Sequence, residues 1–415
     1  MTTTNPDRVT EEVLQLLWSP HRVVIVASPP GGGKTGLVER LAWTQTQVVG
    51  SSCLIGSFTN QQADQISDRL TDNWQWPQHD NSPAVQRLQP KSRPAGPVST
   101  NQFSILPRPC AWVSTVHRWG SIRPAQPAGL LIIDEAWQIP YALFAPLTQL
   151  AHRIILVGDP GQIPPVVTID CSRWENDQTG PHRAAPDVLM ASRSEIPVIR
   201  LPHTRRVPQD TVDVIGGLLY PDQPFSSIAA PQPPLDMSPM GPRWGQASSA
   251  GRTLLWCEMP EEEPTAQQRA EVGLSWIRGL VQLGVPPERI GVVCPRVDDV
   301  SAQAAVLGEW QSQVFVETAE RWQGGETDWI LAWHPLGGGA SGDFESSPGR
   351  LCVMLSRHRR GCVLLADRGT PRRIASLGEA ERNVLERGTT ASWLIHQQLH
   401  QTILDQGRLV PPPLI

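Results

Sequence analysis

Directly after the apolar run Arg22–Ala27 (RVVIVA), the chain reads Ser28-Pro-Pro-Gly-Gly-Gly-Lys-Thr35. No other stretch restricts the fold as tightly. Consecutive glycines let the backbone turn so that successive N–H groups face one point, and a helix opening at Lys34 adds its positive N-terminal end. A loop of this kind requires a strand before it and a helix after it, and it cradles phosphate groups. On this reading Pro30, Gly31, Gly32 and Gly33 form the cradle. Lys34 reaches the β- and γ-phosphates of a nucleotide, and the Thr35 hydroxyl sits on Mg²⁺. Ser28 departs from the usual pattern, which opens with glycine.

A second feature completes the chemistry. Leu130-Leu-Ile-Ile-Asp-Glu135 is an apolar strand that ends in two acids. Such an ending places Asp134 at the carboxyl edge of a sheet, where it can hold the metal, with Glu135 beside it to orient or deprotonate water. Taken alone, the same residues read as solvated acids capping a strand. With the loop upstream, both halves of one mechanism are present. A P-loop kinase would own these parts too, so they define ATP use without defining its purpose.

The rest of the chain alternates apolar runs with helical stretches. Arg22–Ala27, Val48–Phe58, Leu130–Ile133 and Arg153–Gly158 read as strands of one sheet; Thr253–Cys257, Ile290–Cys294, Val314–Glu317, Trp329–Trp333 and Cys362–Ala366 read as strands of another. Runs that are continuously apolar suit parallel strands covered on both faces. Two blocks of strand–helix alternation predict two doubly wound α/β domains, residues 1–197 and 198–415, with ligands at the carboxyl ends of the strands. The stretches about 73–110 and 221–251, rich in Pro, Ser, Gln or Gly, read as surface insertions. Pro411–Pro413 reads as a frayed tail.

Composition adds limits. With 40% hydrophobic residues the 415-residue chain is globular, and no apolar run approaches the roughly 20 residues that span a bilayer. The polar start, Met1–Glu12, predicts no signal peptide, and seven scattered cysteines without a CxxC pair indicate neither disulfides nor zinc. These features predict a cytoplasmic protein with no membrane partner. A net charge of −5 does not announce a nucleic-acid binder, although a locally positive groove can sit on an acidic body.

Further segments supply the purpose. Asp134-Glu-Ala-Trp-Gln138 resembles the DEAxQ box of superfamily 1 helicases, and Val157-Gly-Asp-Pro-Gly-Gln-Ile-Pro-Pro165 resembles their third motif. Leu201-Pro-His-Thr-Arg-Arg206, with Tyr220 downstream, is similar to the fourth, Glu317–Glu326 (ETAERWQGGE) to the fifth and Cys352–Arg359 (CVMLSRHR) to the sixth. Phe58–Ala63 and Val113–His117 resemble motif Ia and the short motif after it. The order and spacing resemble the branch that includes the nonsense-mediated-decay helicase and its DNA-processing relatives.

The resemblance implies two RecA-like P-loop domains with a nucleotide cleft between them and ATP and Mg²⁺ as cofactors. It implies that Gln162 senses the γ-phosphate, that Arg205 or Arg206 and Arg357 supply positive charge to the transferring phosphoryl, and that Gly325 and Glu326 contact the nucleotide. It also implies that Thr59, Asn60, Ser114, Thr115, His117 and Gln323 face single-stranded DNA or RNA. Arg359 and Arg360 are left as surface or strand contacts. Cys352 stands where relatives usually have asparagine, and the glutamine that reads adenine in relatives falls near Glu11, with Gln15 out of register.

Sixteen tryptophans against six phenylalanines and two tyrosines is an unusual balance. Trp119, Trp137 and Trp322 lie beside motifs and could stack bases; Trp18, Trp256, Trp276 and Trp333 read as core or interface residues. The function expected is an ATP-dependent translocase or helicase, working alone or within a larger protein assembly. The alternative is a nucleic-acid-gated ATPase switch that recruits partners without unwinding.

Overall fold

The computed structural model describes residues 6–73, 84–90, 92, 99–104, 108–174, 177–193, 195–340, 343–382 and 392–414. Its contacts divide the chain into two compact units. The first is Met1–Ser28, Gly33–Pro160 and Pro164–Leu201; the second is Pro29–Gly32, Gly161–Ile163 and Pro202–Ile415.

In the first unit, strands β1 (Val23–Ala27), β2 (Cys53–Ser57), β3 (Val85–Leu88), β4 (Ser99–Thr100), β5 (Ala111–Thr115), β6 (Ala128–Ile133), β7 (Ala151–Gly158) and β8 (Val198–Arg200) form one sheet in the order β4-β3-β5-β2-β6-β7-β1-β8. Every pairing in it is parallel. The continuous apolar runs follow from that arrangement, because alternate residues of each strand serve opposite faces. Val24, Val26, Ile55 and Ile132 pack with Leu37, Leu41 and Ile66 of covering helices on one face. Ile25, Leu54, Leu131 and Ile133 pack with Trp119, Trp137 and Phe144 on the other. β8 pairs with β1, so the first sheet takes in residues past the expected boundary at 197.

The second unit begins with the small pair β9 (His203–Thr204) and β10 (Ser226–Ser227). Its main sheet contains β11 (Leu254–Met259), β12 (Ile290–Cys294), β13 (Phe315–Thr318), β14 (Thr327–Trp333), β15 (His358–Asp367) and β16 (Leu409–Val410), in the order β13-β12-β14-β15-β11-β16, again all parallel. Two layers of side chains form here as well, one around Leu255, Val292 and Leu331, the other around Trp256, Val293 and Ile330. Two doubly wound parallel α/β units are the RecA-like class expected from the sequence.

Three expectations about loose segments are corrected. Within 73–110, β3 is wholly buried and pairs with β5, so part of the supposed insertion is sheet; residues 74–83 lie outside the described residues. Within 221–251, the helix Pro242–Ser249 sends fully buried Trp244 into the core beside Met237 and Met240. The C-terminal prolines are stitched down rather than frayed: the Trp244 indole donates to Pro411 O at 3.1 Å, and Leu414 N donates to Met240 O at 3.1 Å. Composition hid these roles because Pro and Ser mark turns without reporting what the intervening apolar residues touch. Among the described residues no helix is long and apolar enough to cross a membrane.

Candidate nucleotide and nucleic-acid sites

Strands β6, β7 and β1 are neighbours, so their carboxyl ends open side by side, and each leads into a motif. From β1 the chain enters the glycine loop, and the helix Lys34–Trp43 starts after Gly33, whose φ is 93°. From β6 it enters Asp134 and Glu135. Lys34 Nζ lies 3.4 Å from Glu135 Oε1, and both side chains are largely covered. Asp134 is 7% exposed; its Oδ1 accepts from Glu135 N at 2.9 Å. Burial, reinforced by the Glu135 charge and opposed by Lys34, pushes the Asp134 carboxyl up to about 7. A buried carboxyl beside a second acid is unstable as an anion until positive charge arrives, which is the demand a metal–phosphate pair meets. These residues therefore fit ATP with Mg²⁺: Thr35, one residue into the helix, and Asp134 would hold the ion.

The front of the glycine loop is organised by the second unit, to which it belongs. Thr204, fully buried, donates from its hydroxyl to Pro30 O at 2.6 Å, and Arg205 N donates to Gly31 O at 2.9 Å. Gly31 has φ of 68°, and a Cβ there would meet Arg206 Cβ at 2.5 Å, so glycine is required twice over. Arg206 then binds Glu326, which is also gripped by Arg359. Burial works to raise Glu326, but the two guanidiniums win and hold it below the usual carboxylate range. Arg205 is exposed. Arg357, 1% exposed, accepts from Thr327 N at its carbonyl at 3.0 Å, which ties the sixth motif to the strand following Glu326.

Gln162 is also buried, and its segment joins the second unit. Ile163 enters the apolar cluster of Val214, Ile215 and Leu351. A Cβ on Gly349, in the helix Pro348–Leu355, would lie 2.6 Å from Gln162 O, so the third motif rests directly on the helix that carries the sixth. The Tyr220 hydroxyl meets Cys352 Sγ at 3.0 Å on that same helix. The cysteine found in place of asparagine is thus a packing and weak hydrogen-bonding partner.

The expected nucleic-acid residues divide. Thr59 and Asn60 are exposed; Thr59 caps its helix reciprocally with Gln62, and Asn60 Oδ1 accepts from Arg87 at 3.0 Å. His117 is exposed, with its ring 5.7 Å from Phe58. Ser114 is fully buried and donates to Leu88 O at 2.7 Å, which withdraws it from any surface. Thr115 caps the helix Val116–Gly120 by accepting from Arg118 N. Gln323 and Gly325 lie on the turn after Trp322. The three tryptophans beside motifs are framework rather than stacking platforms. Trp119 donates to Ile55 O, Trp137 to Asp187 and Trp322 to Val292 O, and each is at most 4% exposed. Trp18, expected as a core or interface residue, is 74% exposed.

Sequence reading missed Thr204 and Arg359 as site residues. Both lie inside quoted motifs, but only the fold shows Thr204 gripping the loop and Arg359 sharing Glu326.

Residues 15–168 match a family model described as an AAA domain. That match holds the glycine loop, the paired acids and Gln162. No curated protein matches the chain. Among solved structures, the helicase of PRRSV is similar at 16% identity over 86% of this chain and 54% of that one, with a TM-score of 0.46. The chain therefore spans about half the length of that viral protein. An arterivirus nonstructural protein 10 helicase in complex with DNA is 14% identical over 83% of this chain and 61% of that one (TM-score 0.44). A Pif1 helicase, described as unwinding forked double-stranded DNA, is 13% identical over 94% of this chain and all of that one (TM-score 0.47).

Proposed function

We propose that this protein is an ATP-dependent nucleic-acid translocase or helicase of superfamily 1. The observation that carries the reading is the Lys34–Glu135 ion pair beside the buried Asp134 carboxyl, at the ends of β1 and β6, the two parallel strands that flank β7. Bound ATP supplies the phosphoryl group, and Thr35 and Asp134 would hold Mg²⁺, which would offset the phosphate charge. Lys34 exchanges its Glu135 partner for phosphate oxygen. Glu135, released, orients water and takes its proton. Gln162 reports the outer phosphate, while Arg206 or Arg205 and Arg357 add positive charge where it develops. Glu326, with Gly325 beside it, faces the nucleotide on this reading and sets where Arg206 rests.

Thr59, Asn60 and His117 are the exposed groups suited to phosphate and sugar oxygens of a single strand, DNA or RNA, with Thr115 and Gln323 as neighbours. Regulated recruitment of partners without unwinding is the second reading. The absence of a surface stacking tryptophan among Trp119, Trp137 and Trp322 favours it, because strand-separating motors commonly grip bases by their faces.

Steady-state ATP hydrolysis with and without single-stranded DNA or RNA tests the proposal, alongside strand separation of a tailed duplex. Stimulation by one polymer, lost in Lys34→Ala and Glu135→Gln, is expected. Hydrolysis indifferent to both polymers would remove the nucleic-acid part. Stimulation without strand separation would select the switch.

A further inference from the structure

Wholly within the second unit lies a cavity of about 330 Å³ that the P-loop chemistry does not use. It is lined by the strap containing Pro231, Gln232 and Pro233, by Trp329 with Arg359 and Arg360, and by Arg252. Among the described residues no acidic side chain lines it.

The charge around it is lopsided. Glu326 is held by Arg206 and Arg359, and Asp210 is held by Arg252 and Arg408. Arg360 adds a fifth guanidinium, bonded only to a neutral carbonyl, Pro233 O, at 2.7 Å. Of the three guanidiniums that line the cavity, Arg252 is thus matched by Asp210, Arg359 by Glu326, and Arg360 by a neutral carbonyl; Asp213 accepts from the lining residue Gln209, and Asp236 stands between the lining residues Leu235 and Met237. His358 lies among these groups, and burial together with Arg206 pushes it down to about 3, so it is neutral and changes nothing. Asp328, next to Trp329, is matched by Arg289 at 3.5 Å. Focused positive charge beside low-dielectric walls concentrates anions.

The apolar side of the cavity is equally specific. The Arg360 guanidinium lies over the Trp329 ring, 5.8 Å from its centroid, so its plane is presented as a stacking surface. Pro231 and Pro233, in the strap that Arg360 meets at Pro233 O, have no N–H to demand a partner and offer flat apolar rings. Bases stack on guanidinium planes, and the Gln232 amide can both donate to and accept from a base edge. A cavity at the small end of the ligand-site range takes one nucleotide rather than a running strand.

We propose that this cavity is a second nucleotide site, which binds a single nucleotide through a terminal phosphate on the Arg252–Arg359–Arg360 cluster and a base against Arg360 and the proline strap. The nucleotide is either free or the phosphorylated end of a nucleic acid; the chemistry is shared. The inference does not depend on what the P-loop binds.

Isothermal titration of the full chain carrying Lys34→Ala, which removes the P-loop lysine, separates the two sites. AMP, adenosine, inorganic phosphate, a 5′-phosphorylated oligonucleotide and its 5′-hydroxyl counterpart are the probes. AMP is expected to bind once per chain and at least tenfold more tightly than adenosine or phosphate, and Arg360→Ala is expected to weaken it at least tenfold. Arg360→Lys, which keeps charge but loses the plane, should fall between. Binding of the 5′-phosphorylated oligonucleotide but not its 5′-hydroxyl form would assign the site to strand ends; binding of AMP alone would assign it to free nucleotide. No AMP binding, equal binding of adenosine, or an unchanged affinity in Arg360→Ala with native circular dichroism would overturn the proposal. Failure of the P-loop reading would show instead as unimpaired ATP hydrolysis in Lys34→Ala.

Discussion

Glu135 alone among the described non-glycine residues has a positive φ, 51°. That conformation costs an L-residue about 1–2 kcal/mol, and such strain collects at sites that use it. Here it turns the carboxylate off the strand line and onto Lys34. Replacing Glu135 with Gln keeps the shape and removes the base, so hydrolysis should fall about 10²–10⁴-fold while binding of a non-hydrolysable ATP analogue persists. Loss of binding in parallel would mean that Glu135 holds the site together instead. Ser114 yields the opposite expectation. Its hydroxyl is spent on Leu88 O, so Ser114→Ala should cost about 1 kcal/mol of stability and leave nucleic-acid affinity unchanged. Urea unfolding and a strand-binding titration check both halves; a drop in affinity at constant stability would restore the contact read from the motif.

Whole elements carry the next two expectations. The helix Pro348–Leu355 meets the Gln162 backbone where Gly349 lacks a side chain. Gly349→Ala must therefore push the Gln162 segment or the helix aside, which should cost roughly 1–3 kcal/mol and lower hydrolysis more than nucleotide affinity. Normal turnover in this variant would show that Gln162 tolerates displacement.

The helix Ser392–Asp405 carries buried His396, which packs beside His334 at 5.3 Å and donates from Nε2 to Ser346 O at 3.0 Å. Burial pushes His396 down to about 4, while the unfolded chain protonates near 6.5. The folded state thus binds fewer protons between those values, and stability is intact above the unfolded value and declines as pH falls through it. Between pH 7.5 and 5 the loss from His396 should reach about 2 kcal/mol, with His358 adding a loss of similar size. Urea midpoints at the two pH values measure it. A midpoint that holds steady, or that His396→Leu fails to make less pH-dependent, would show that these rings are already protonated in the fold.

At the scale of the whole molecule, the membership of two short segments matters most. Pro29–Gly32 and Gly161–Ile163 leave the ends of β1 and β7 in the first unit yet group with the second. Their partners explain why: Thr204 and Arg205 bind the loop carbonyls, and Ile163 enters an apolar cluster of the second unit. Shape and charge at the phosphate loop are consequently shared between distant parts of the chain, and hydrolysis should be sensitive to Thr204→Val. That change removes the bond to Pro30 O while keeping volume, and an unaltered rate of hydrolysis would argue against such sharing.

The two sheets, the P-loop, the paired acids and the motif order could be read from the sequence, because each rests on local spacing. A strand buried on both faces must be apolar throughout, and a loop around phosphate must be rich in glycine. Burial and partnership could not be read that way. Ser114 and His117 look alike as polar motif residues, yet one is sealed under Leu88 and the other faces water. Trp18 and Trp119 differ in the same sense, and the Pro-rich stretch at 221–251 hid a core helix. Arg359 and Thr204 gained their roles only from neighbours brought together across the chain, Glu326 and Pro30. Local spacing sets which strand or turn a residue enters, whereas whether its polar atoms meet solvent, an ion or a carbonyl depends on contacts between segments far apart in sequence, which only the tertiary structure decides.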